Sequence, residues 1–155
     1  MIKDIKSLKQ FFAFGLLAIL LIGVVGLVVA PLTAPMLNFS VVQVENTKSI
    51  VIILSLVLVP YAFYLHNRKV TEMNETKDVD ERYALYIKGF RLKLILLVVV
   101  SAIAVIAYIL TEHFAFLYIF LLALMAYLLN IPSGEKIENL LLPPAEEDTE
   151  FEDSE

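Results

Sequence analysis

The side chains able to do chemistry are few in this chain, and their spacing keeps them apart. There are two histidines, His66 and His113, and no cysteine in 155 residues. That removes disulfide frameworks, thiol redox work, thiolate metal sites and any multi-histidine metal site. Ser101 lies near the middle of one apolar stretch, and His113 follows it by twelve residues. Twelve residues along a helix is about 18 Å, beyond the hydrogen-bond reach that a nucleophile and its base require. The acids Glu72, Glu75, Asp78, Asp80 and Glu81 share a polar stretch with Lys77 and read as a solvated linker, not a metal site. No paired carboxylates, glycine-rich phosphate loop or basic aromatic surface for nucleic acid is present. These residues therefore point away from an enzyme, with no catalytic residue, no metal and no cofactor.

What they must be built into is an oily scaffold. Four apolar runs, residues 11–34, 50–66, 94–110 and 114–131, contain no Asp, Glu, Lys or Arg. The chain is 59% hydrophobic and only 19% charged, more apolar than a soluble domain. A helix of about 20 apolar residues crosses the roughly 30 Å hydrocarbon core of a bilayer. The first run has fourteen Phe, Leu, Ile or Val residues before Pro31, favouring insertion by at most about 4–8 kcal/mol. The expected fold is all-α: an integral membrane four-helix bundle with four spanning helices. Its first run is longer than a signal-peptide core and is followed by a poor cleavage context, so it reads as a retained helix. An ionisable residue inside a span is the usual mark of a proton or ion path, and none lies within the runs.

If all four runs span, eleven of the twelve Lys and Arg residues fall on one side. Lys3, Lys6 and Lys9 precede the first run. Seven cations, from Arg68 to Lys93, lie between the second and third, and Lys136 follows the fourth. Only Lys48 is on the other side. The positive-inside rule then places both termini and the 67–93 loop in the cytoplasm. Tyr108, Phe114, Phe116 and Tyr118 would mark the outer interface, and Phe11, Phe12, Tyr61, Tyr64 and Tyr127 the inner one.

Local signals add detail. The first helix is expected to end at Pro31 or Pro35. Residues 37–44 read as a surface loop or short extended piece, within which Asn38-Phe39-Ser40 matches a glycosylation acceptor. Pro60 predicts a kink in the second helix. Residues 67–76 read as irregular. Residues 78–93 read as helical, capped by Asp78 or Asp80. There Tyr83, Tyr86, Ile87 and Phe90 share one face. That face suits either an interfacial helix on the inner leaflet or a cytoplasmic extension of the third helix. One unbroken helix over 92–131 would measure about 60 Å, so the chain must turn near Glu112. Residues 1–133 thus form the transmembrane domain. Residues 134–155 form a cytoplasmic acidic tail, with a turn or two of helix after Ser133 and the rest disordered.

Helices associate in lipid through small residues and a few hydrogen bonds. Gly15, Ala18, Gly23, Gly26 and Ala30 share a face of the first helix. Ser101 and Ala104 mark the third, and Ala123 and Ala126 the fourth. The first and third helices align without gaps, Gly23 with Ser101 and Gly26 with Ala104, as a duplicated hairpin or as a coincidence of composition.

The lysine- and arginine-rich inner loops, the stretch from Tyr83 to Phe90 and the segment from Ile131-Pro132-Ser133 to Leu142 give the chain its family look. It resembles small uncharacterised four-helix inner-membrane proteins of bacteria. That resemblance implies a multi-pass protein of the cell inner membrane and carries over no active residue. The function it suits is non-enzymatic: an accessory or assembly subunit acting through contacts with membrane lipids, a membrane protein partner or a second copy of itself. The alternative is an oligomeric small transporter or channel component, its path lined by Ser55, Ser101, Tyr108 and Asn130. A central polar cavity would favour the second, and a dry apolar seam the first.

Overall fold

The computed structural model describes residues 2–134 and Ile137. It contains four helices: α1 (Ile2–Leu37), α2 (Val41–Glu75), α3 (Val79–Thr111) and α4 (Phe114–Leu128). The first three carry stretches long and apolar enough to cross a membrane, the make-up of a multi-pass membrane protein. Their outward faces are correspondingly oily, with Phe14 72% and Leu56 69% exposed. The expected fourth span is shorter than its apolar run. α4 has 15 residues, about 22 Å, and Leu129 and Asn130 form a turn before Ile131 and Pro132.

The other helices outrun their apolar runs, for reasons that lie in the polar residues around them. α1 passes Pro31 and Pro35 and ends at Leu37. Proline is tolerated in such helices where neighbouring helices support the chain, and the Thr33 hydroxyl, shared between Val29 O and Ile109 O at 3.1 Å each, ties this stretch to α3. Asn38 turns the chain in the left-handed region (φ 45°). Ser40 then starts α2 with a capping box: Gln43 N donates to Ser40 Oγ, and Ser40 N donates to Gln43 Oε1 at 2.8 Å. The expected loop over 37–44 is thus mostly the first turn of a helix.

At its other end, α2 runs through the stretch expected to be irregular. The Arg68–Glu72 pair at 3.3 Å and the Lys69–Glu72 pair support it from outside, and Met73 is fully buried beneath. Pro60 sits inside α2 without ending it. Arg82 Nη1 donates to Thr76 O at 3.1 Å and fastens the turn into α3. Asp78 caps α3, its carboxylate accepting from Asp80 N at 3.0 Å. The segment with Tyr83, Tyr86, Ile87 and Phe90 is continuous with α3 and forms no separate helix.

α3 is the centre of the bundle, with α1, α2 and α4 packed around it. One core cluster joins Leu8, Phe12, Met73, Phe90, Leu94, Tyr127 and Ile137. The start of α1, the end of α2 and the chain beyond α4 therefore meet at one end of the bundle. There Ile137 N donates to Ser133 O at 3.1 Å, closing one helical turn. The acidic tail beyond lies outside the described residues. A second cluster, Ala30, Val51, Ala107, Tyr108 and Phe116, fills the opposite end. There α3 stops at Glu112 in the left-handed region (φ 52°), and His113 Nδ1 accepts from Ala115 N at 3.2 Å to start α4. The two hairpins that might have been a duplication have unequal second helices, 35 residues in α2 and 15 in α4.

Candidate functional site

The small residues marked in the sequence sit where large ones lean across. A Cβ added at Gly15 would collide with Tyr127 Oη, and one at Gly26 with Val105 Cγ1. One at Gly23 would lie 2.6 Å from the Phe120 ring. Aromatic residues of α4 thus lie against glycines of α1, and the Tyr127 hydroxyl donates to Phe12 O at 2.9 Å. Ala104 and Ala123 are buried, while Ala18 and Ala126 are half-buried.

The polar side chains suggested as a pathway lining are engaged within their own helices. Ser55 donates to Val51 O at 2.7 Å, Ser101 to Leu97 O at 2.9 Å and Asn130 to Ala126 O at 2.6 Å. Tyr108 is buried in the apolar cluster at the far end. Around Ser101 the seam is tightly apolar, with Leu97, Val100 and Ala104 all buried. A cavity of about 500 Å³ lies between α2 and α4, walled by Ile52, Leu56, Val59, Tyr118 and Leu122. Ser55 and Tyr118 are its only polar side chains.

Chemistry gathers instead on the first half of α3. Phe90 is buried, and Tyr83, Tyr86 and Ile87 are half-buried against the core. Three turns of this helix meet α2 across Gly89, where an added Cβ would come within 2.8 Å of Lys69 Cβ and 3.3 Å of His66 Nδ1. The close crossing brings basic and aromatic groups together. His66 packs edge-on to Tyr86 (5.6 Å between centroids) and Phe90 (6.0 Å). Lys93 is only 4% exposed. Its ammonium lies 5.0 Å from the Phe90 ring centre and 5.4 Å from that of Phe63. Ring faces attract a cation through their quadrupole, and here they replace the carboxylate that a buried lysine usually needs.

The other flank of the same stretch is open. Tyr83, Ile87, Lys88, Arg91, Leu92 and Ile95 line a groove of about 530 Å³. Arg91 reaches from it to α1, donating from Nη2 to Ser7 Oγ at 3.3 Å and lying 5.5 Å from the Phe11 ring centre.

The sequence marks the aromatic members of this region and sets Lys88 and Arg91 off their face, where an interfacial helix would offer them to anionic headgroups. It gives Lys93 no role beyond inner-loop charge. The signal for Lys93 was there, because it follows Phe90 by three residues and so shares its helical face.

Among the described residues, no group of three or more His, Asp or Glu is placed to hold a metal ion. No protein-family model, curated protein or solved structure matches the chain.

Proposed function

We propose that this four-helix chain is a non-enzymatic multi-pass membrane protein, an accessory or assembly subunit that acts through protein or lipid contacts. The observation that carries this reading is the apolar seam. Ser55, Ser101 and Asn130 each spend a side-chain hydrogen bond on a carbonyl four residues back in the same chain, and the surrounding core is aliphatic and aromatic. Such an interior favours contacts over a polar route for an ion within one copy of the chain. The outward apolar faces of α1, α2 and α4 provide the area through which a contact-driven protein works.

In this reading the protein sits in a bacterial inner membrane with the Lys- and Arg-rich end in the cytoplasm. The gathering of the α1 start, the α2 end and Ile137 in one cluster supports both chain ends lying on that side. At the opposite end the lone Lys48 is paired with Glu45 at 2.6 Å, which leaves little free positive charge there.

Extraction of tagged, full-length protein in mild detergent should recover a membrane protein partner, or a second copy, in fixed stoichiometry. Recovery of a monodisperse monomer that carries no bound lipid would overturn the reading. Because the chain has no cysteine, orientation is tested with single substitutions. Thr47→Cys should react with an impermeant maleimide on intact cells, and Lys77→Cys only after lysis.

A further inference from the structure

We propose that the open flank of α3 is a binding site for one anionic phospholipid, with the headgroup phosphate held by Lys88 and Arg91 and an acyl chain laid along the helix below them. The inference deepens the contact-driven reading above and rests on it, since it needs this end of the bundle at a leaflet surface.

Three observations meet here. The first is that the groove holding Lys88 and Arg91 does not stop at its apolar end. Ile95 is shared with a second cavity of about 280 Å³, whose walls include Phe14, Val98 and Val99. Together they make one trough, cationic at the top and apolar below. The second is length. From Lys88 to Val99 is eleven residues, about 16 Å along the axis, close to half of the roughly 30 Å hydrocarbon core. The trough therefore matches a single leaflet, with its cations at headgroup level.

The third is that the cations are placed. Arg91 is held at the groove wall by Ser7 and the Phe11 ring. Lys88 is exposed on the rim. A guanidinium offers a fork of donors to phosphate, and an ammonium adds a point charge. A zwitterionic lipid fills the same trough but gains less at the rim, because its own cation opposes theirs. A soluble acidic peptide satisfies the rim and leaves the apolar trough empty. Charge and shape together select an anionic lipid.

The test uses full-length protein, stripped of lipid in detergent and titrated with phosphatidylglycerol or phosphatidylcholine of identical chains, with bound lipid counted by native mass spectrometry. Phosphatidylglycerol should bind about thirtyfold more tightly, as expected for two basic residues near a membrane surface. Lys88→Gln should cut the preference about fivefold, and Lys88→Gln with Arg91→Gln should abolish it. Val99→Trp should weaken both lipids alike by filling the trough. Lys88 is exposed, so its variant keeps the question answerable if Arg91→Gln fails to fold.

Equal affinity for the two lipids overturns the proposal, as does a preference that Lys88→Gln leaves unchanged. Glycerol phosphate binding as tightly as the whole lipid would make this a free-anion site and also overturn it. So would phosphatidylglycerol binding that appears only when the seven acids of residues 145–155 are neutralised, because the chain's own tail would then be the occupant. Recovery of a stoichiometric protein partner without any lipid preference sinks this site and leaves the contact-driven reading standing.

Discussion

Along residues 82–95, α3 shows two flanks built from the same residue types to opposite effect. Toward α2, Gly89 brings the helices together and Lys93 disappears between Phe63 and Phe90. On the other flank, Lys88 and Arg91 stand around an open groove beside Tyr83 and Ile87. A cation sealed between rings works as packing, since its charge is spent on its neighbours. A cation on the rim of a groove keeps its charge for something outside the chain. Composition is the same on both flanks; what differs is whether a neighbouring helix arrives.

The largest effect should come from reversing the sealed charge. In Lys93→Glu the ring faces meet an anion that their quadrupoles repel, and a buried charge without a partner costs about 3–5 kcal/mol. Lys93→Met should stay within about 1 kcal/mol of the parent, because the neutral side chain loses the ring attraction together with the burial penalty. Unfolding by dodecyl sulfate in mixed micelles, followed by helical circular dichroism, reads both. Equal losses in the two variants would mean that the pocket selects shape and that the cation is incidental.

A smaller effect should follow from forcing the closed flank apart. Gly89→Leu places a side chain where even a Cβ lies 2.8 Å from Lys69 Cβ, and overpacking of this kind costs about 1–3 kcal/mol. Gly134→Ala is the control, because its nearest neighbour, Ile5 Cγ2, is 3.9 Å away. The same unfolding titration should separate the two variants. If Gly89→Leu matches Gly134→Ala, the α2–α3 crossing is looser than its geometry indicates.

How much of this was legible in the sequence follows from which signals are local. The oily interior of the helices was legible, because exclusion of charge over 17 or more residues has no other common cause. Asp78 as a cap was legible, because its side chain acts on its own backbone. The ends of α2 were not. The apolar run begins at Ile50, whereas Ser40 and Gln43 set the helix start nine residues earlier. The prolines at 31 and 35 misled for a related reason: the packing of this end of α1 on α3, where Thr33 bonds to Ile109 O across 76 residues, exists only after folding. The two roles on α3 were hidden most deeply. Lys88, Arg91 and Lys93 look alike in the chain and are separated only by the direction in which each meets a neighbour.

The smallest stability effect should belong to Lys88→Gln, and its smallness is the informative part. Lys88 is exposed on the groove rim, and substitutions at such positions usually stay within about 0.5 kcal/mol. In lipid-free micelles the unfolding midpoint should therefore match the parent. Adding phosphatidylglycerol should then separate the two, because a ligand bound only by the folded state raises apparent stability in proportion to its affinity. The parent should gain more than Lys88→Gln, while Lys93→Met should gain as much as the parent, its amine facing the sealed flank. A midpoint that drops in Lys88→Gln before any lipid is added would place this lysine with Lys93, as part of the packing, and the contrast between the two flanks would be lost.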